Sequence, residues 1–117
     1  MVSPVDGATL LGTWEVSVVT PIGTLDTTYE FTRTAGALSG TATSSRETVP
    51  VTDVELDQDP DGLRAGWNQA VRWPIRLHLH FDVVVTGDRM SGYSRAGRLP
   101  RSRVSGTRLR GPEDAET

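Results

Sequence analysis

An all-β fold, an eight-stranded antiparallel up-and-down β-barrel, is what this 117-residue sequence predicts. Three observations carry it. Apolar and polar residues alternate over short segments, turn signals recur about every ten residues, and no window keeps helical spacing over three turns. One polar face per segment implies an antiparallel sheet covered on one side only. Eight such strands with short connections favour closure, because closure removes exposed edges. A two-sheet sandwich has the same strand spacing and is the alternative.

Each element has its own justification. In Gly12–Thr20, Trp14, Val16 and Val18 share a face. In Thr24–Arg33, Leu25, Thr27, Tyr29 and Phe31 do so. Ala37–Ser44 aligns Leu38, Gly40 and Ala42. Thr48–Leu56 changes phase, from Val49 and Val51 to Val54 and Leu56, which predicts a bulge near Thr52. Leu63–Val71 aligns Leu63, Ala65, Trp67, Gln69 and Val71. Ile75–Val85 aligns Ile75, Leu77, Leu79, Phe81, Val83 and Val85. Arg89–Ala96 aligns Met90, Gly92, Ser94 and Ala96, and Ser102–Arg108 aligns Ser102, Val104, Gly106 and Arg108. The strings "LSGT", "MSGY" and "VSGT" set glycine on the inward face at positions 40, 92 and 106. Strand glycines mark bends or close backbone approach, so this repeat is architecture rather than chemistry. One domain covers 1–117, with an ordered core of about 10–109 and ends at 1–8 and 111–117 expected to be flexible.

Composition narrows the function. Net charge is −3, yet residues 72–110 hold nine arginines against two acids, and there is no lysine. A GC-rich genome accounts for that usage; convergence of arginines on an anion is the sharper reading. Cysteine is absent, which excludes disulfides and thiolate chemistry. No run approaches the roughly 18 apolar residues of a membrane span, and no leader pattern opens the sequence, so a cytoplasmic protein is expected. An acidic chain without basic residues interleaved with stacking aromatics disfavours nucleic acid.

Gly12-Thr13-Trp14 opening the first strand, and Arg108 closing the last, resemble the calycin superfamily of small barrels, which includes lipocalins, fatty-acid-binding proteins and avidins. The resemblance implies that Arg108 packs across Trp14 and shuts one end. It covers about 95 residues and carries no biotin-site pattern.

With Trp14 low, strand order sends Thr34–Ala37, Asp57–Gly62 and Thr86–Arg89 to the closed end. The connections at the other end bring Ile22, Arg46, Arg72, Trp73, Arg98, Leu99 and Arg101 to the mouth. The expected ligand-binding set is Thr27, Tyr29, Trp67, Gln69, Arg72, Trp73, Leu77, Ser94, Arg98, Arg101 and Ser102. It is mostly apolar with a few convergent polar groups, as small-molecule pockets are. Trp67 and Trp73 would meet the apolar part of the ligand, and Arg72, Arg98 or Arg101 an anionic end. Tyr29 and Gln69 are the candidate catalytic residues, as donors to a developing enolate.

Other chemistry is poorly supplied. His78, His80 and Asp82 share an outward face without a third strong ligand from a neighbouring strand, so no metal is expected. Inward serines have no inward histidine, and no pair of inward acids is present. The expectation is a barrel that binds a small apolar or amphipathic ligand without a cofactor. The alternative is a cofactor-independent cyclase or isomerase of secondary metabolism in the same pocket, a role the calycin resemblance allows. A third reading is a filled barrel acting through its outer face, as a homodimer.

Overall fold

A computed structural model describes residues 8–20, 23–35, 37–72 and 76–111. These form a single 3-10 turn, Ala8–Leu10, and eight strands: β1 (Gly12–Thr20), β2 (Gly23–Thr34), β3 (Ala37–Thr43), β4 (Thr48–Asp59), β5 (Gly62–Val71), β6 (Leu77–Thr86), β7 (Arg89–Ala96) and β8 (Ser102–Arg110). Each strand pairs antiparallel with the next, and β8 pairs with β1, so the barrel closes in sequence order. The fold class is the one the alternation predicts. Ile22, Trp73 and Ile75 lie outside the described residues, as do the ends at 1–7 and 112–117.

The expected bulge lies in β4. Thr52 faces Asn68 and Glu55 faces Gly66, so Asp53 and Val54 together span the single residue Trp67 of β5. Asp53 takes a left-handed backbone conformation, φ 54°. The extra residue returns Val54 and Leu56 to the core side after Val49 and Val51. Strand β4 then runs three residues past the expected Leu56, to Asp59, leaving Pro60 and Asp61 as the turn. Asp59 accepts the Asp61 backbone N–H at 3.1 Å, an Asx turn that can replace the longer loop.

Glycine at position 106 is required by packing. A Cβ there would lie 2.8 Å from Met90 Cγ and 3.0 Å from Val16 Cγ2, inside ordinary contact. The two halves of the barrel differ in filling. Trp14, Val16, Phe31, Ala65, Trp67, Phe81, Val83, Val85 and Val104 are all at most 1% exposed. All but Val104, which pairs with Val18 near the upper end, lie in the lower and middle interior.

The lower end is closed by one arginine. The Arg108 guanidinium carbon lies 4.4 Å from the Trp14 ring centroid, as the resemblance implied. Its Nη2 donates to the Thr9 and Gly87 carbonyls at 2.5 and 3.1 Å, and Nη1 donates to the Leu11 carbonyl. Nε meets Asp88 at 2.7 Å. Trp14 Nε1 donates to the Leu10 carbonyl at 2.9 Å, drawing the 3-10 turn across the opening. Leu10 is fully buried as the plug. Leu10 stands at the start of the expected core of about 10–109, ahead of the alternation that begins at Gly12, so period two assigned it no face.

Candidate functional site: the open end of the barrel

On β1, β2 and β6, inward-facing residues lose their cover above the middle; on β3 and β4 the order reverses, with Ala42 and Val49 buried near the upper end and Leu38, Val54 and Leu56 half-buried below. On β1, Trp14 and Val16 are sealed, Val18 is 8% exposed, and Thr20 is half-buried. On β2, Phe31 and Tyr29 are sealed, Thr27 is half-buried, and Leu25, paired with Val18, is 47% exposed. Strand β6 repeats the gradient, from sealed Val85, Val83 and Phe81 to half-buried Leu79 and Leu77. Val71, Ala96 and Ser102 are likewise half-buried. The upper interior is thus a cup open on the side of β1, β2 and β6, where its walls are apolar, and covered on the side of β3 and β4.

The bottom of this cup is aromatic. Trp67 and Phe81 stack with centroids 5.1 Å apart and planes 9° apart. Tyr29 stacks on Phe31 at 5.8 Å and meets Trp67 edge-on at 5.4 Å. The rings arise from the period-two pattern: Trp67↔Phe81 is a cross-strand pair, and Tyr29 and Phe31 are successive inward residues of β2.

One polar group is set into this floor. Gln69 Oε1 accepts the Tyr29 hydroxyl at 2.7 Å and the Trp67 indole N–H at 3.1 Å. Gln69 is 6% exposed and Ser94 5%. Burial drives the Tyr29 hydroxyl far above the usual range for a phenol; its bonds with Gln69 and Trp67 offset this only in part. Tyr29 is therefore a neutral donor across the physiological range and supplies no general base.

The expected set divides accordingly. Tyr29, Trp67, Gln69 and Ser94 form the floor, and Thr27, Leu77 and Ser102 line the wall above it. Arg72 and Arg98 stand exposed on connections at the rim. The Arg72 backbone N–H is tied to Glu47 Oε2 at 2.9 Å, joining the β3–β4 connection to the end of β5. Arg101 is turned the other way: its guanidinium lies 3.9 Å above the ring of Tyr93, on the outer wall. Trp73 lies outside the described residues.

The outer wall carries polar pairs that spacing alone does not reveal. Arg64 holds Asp82 through Nε at 3.0 Å and Nη2 at 2.7 Å. This bond keeps the Asp82 carboxyl below its ordinary range. Asn68 donates to Asp53 Oδ2 at 3.0 Å and presents its oxygen 2.8 Å from His80 Nδ1. A carboxylate only accepts, so this chain fixes the Asn68 amide and puts the proton of a neutral His80 on Nδ1. Among the described residues, no group of three or more His, Cys, Asp or Glu side chains could hold a metal ion.

Compared with protein-family models, curated proteins and solved structures, the chain matches none at a significant level. The class is therefore defined by its own geometry: a closed, eight-stranded antiparallel barrel, latched below and open above.

Proposed function

We propose that this chain is a calycin-like, cytoplasmic small-molecule-binding barrel whose open end takes a largely apolar ligand. The observation that supports this reading is the exposure gradient on β1, β2 and β6: Leu25, on the inward register of β2 past its pairing with β3, is 47% exposed above ring side chains that are sealed. A barrel built only to be filled would gain by covering such a residue. The ligand rests on Trp67 and Tyr29, lies against Thr27, Leu77 and Ser102, and turns any anionic end toward Arg72 and Arg98. No cofactor or nucleic acid enters this account.

A cyclase or isomerase on the same pocket remains the second reading. Its support is the shaped apolar cup with fixed donors, which is all that a proximity-driven ring closure needs. Tyr29, with its proton committed to Gln69, serves such a reaction only by holding Gln69.

The test is a fluorescence titration with 1-anilinonaphthalene-8-sulfonate, an apolar probe with an anionic end. Saturable binding that is lost in Thr27→Trp, with the β-sheet circular dichroism unchanged, supports the cup as the site. Binding that survives Thr27→Trp puts the probe elsewhere, and no binding by the folded chain counts against the reading.

A further inference from the structure

We propose that the ligand enters with a neutral hydrogen-bond acceptor leading, a carbonyl oxygen of the ketone, quinone or ester class, and that Gln69 and Ser94 receive it on the aromatic floor. This rests on the open end being a ligand pocket.

The argument begins with the direction of one amide. An indole N–H can only donate, so the Gln69 atom 3.1 Å from Trp67 Nε1 must be the oxygen. The Tyr29 hydroxyl, 2.7 Å away, uses the same oxygen. Both acceptor directions of Oε1 are thereby taken. The two N–H groups on Nε2 point away from the pair and meet no acceptor among the described residues.

Those hydrogens are not sealed in the core. No buried side-chain nitrogen or oxygen among the described residues lacks a partner, so Nε2 reaches solvent although Gln69 is 94% buried. From the inward face of β5, two residues before Val71, that solvent lies inside the upper barrel. Ser94 is in the same position on β7: 5% exposed, inward, and without a described partner for its hydroxyl. Strand β6 runs between them, pairing Leu79 with Gln69 and Phe81 with Ser94. Their backbones are two strand spacings apart across the sheet and two residues apart along it, about 12 Å on a flat sheet and less on a curved one. Both side chains can lean toward one ligand group over Phe81.

The floor thus offers three donor hydrogens, with the Ser94 oxygen as the one free acceptor. It offers no cation. Arg108 is held beneath the floor by Trp14 and Asp88, and Arg101 lies on the outer wall. A carboxylate pushed to this depth would be a buried charge without a counter-ion. An ammonium has only donors and would meet three more; a hydroxyl can accept but brings a proton that only the Ser94 oxygen can take. A carbonyl oxygen satisfies the amide and the hydroxyl together. An anionic group, where the ligand has one, trails at the rim.

The test pairs two probes of similar shape, 2-acetylnaphthalene and 2-isopropylnaphthalene, titrated into the intact chain. The ketone is expected to bind about three- to ten-fold more tightly, the worth of one or two neutral hydrogen bonds. Gln69→Glu at pH 8 keeps an acceptor for Trp67 and Tyr29 but removes the amide hydrogens; the preference should then disappear, and Ser94→Ala should reduce it. The Gln69 side-chain NH2 signals in the native protein's NMR spectrum should move with the ketone and not with the hydrocarbon, a readout that holds even where a variant fails to fold. Equal affinities with unmoved Gln69 signals overturn the carbonyl assignment and leave the pocket standing. Binding of neither probe overturns both.

Discussion

At the scale of single residues, Arg108 shows how much one side chain can organise. Its ring contact, three carbonyl contacts and ion pair with Asp88 join β8, the β6–β7 turn and the 3-10 turn. Replacing Arg108 with Ala should cost about 1–3 kcal/mol in urea unfolding, since three backbone carbonyls and the Trp14 face lose their partner. Arg108→Lys should recover less than half of this, because one ammonium cannot cover a ring face and a fork of acceptors together. Tyr29 sets a second expectation, in alkali. The unfolded chain ionises this phenol near pH 10, whereas the folded barrel holds it protonated to higher pH. The folded state therefore binds more protons above about pH 10, and stability falls there by up to about 1.4 kcal/mol per pH unit. In Tyr29→Phe that part of the decline should be absent, at a cost near neutrality of about 1 kcal/mol for the lost hydrogen bond. Unfolding free energies measured from pH 8 to 11 test both points.

At the scale of elements, legibility follows physical range. Alternation is a local signal, and it located all eight strands; the phase change from Val51 to Val54 even marked the bulge. Glycine at 106 was legible as an inward bend, although its neighbours Met90 and Val16 come from strands far apart in sequence. Gly106→Ala should destabilise by about 1–3 kcal/mol through overpacking, and Met90→Ala in the same chain should relieve part of that penalty. At the bulge, Asp53→Ala should cost about 1–2 kcal/mol, for left-handed strain and the lost Asn68 contact. Asp53→Asn, which tolerates that backbone and keeps an acceptor, should be close to neutral. The contacts that were not legible run between faces. Arg101 was assigned to the mouth from its place in the chain, yet it reaches Tyr93 on the outer wall. The Asp53–Asn68–His80 chain depends on a register that period two leaves open. The link of Tyr29 to Gln69 spans 40 residues, and only closure of the barrel brings the two together.

At the scale of the whole molecule, the barrel has a polarity. Aromatic rings and the Arg108 latch fill and close one end, while on β1, β2 and β6 half-covered inward residues leave the other open. The central claim is that this open end, over the Gln69 floor, is where a ligand sits. The most direct measurement is backbone and side-chain amide NMR of the uniformly labelled chain during titration with 2-acetylnaphthalene. The account predicts shifts confined to the cup, at Leu25, Thr27, Gln69, Leu79, Ser94 and Ser102, with Leu10, Trp14 and Arg108 unmoved. Shifts centred on the outer wall around Tyr93 and His80, or none at saturating ketone, would contradict it.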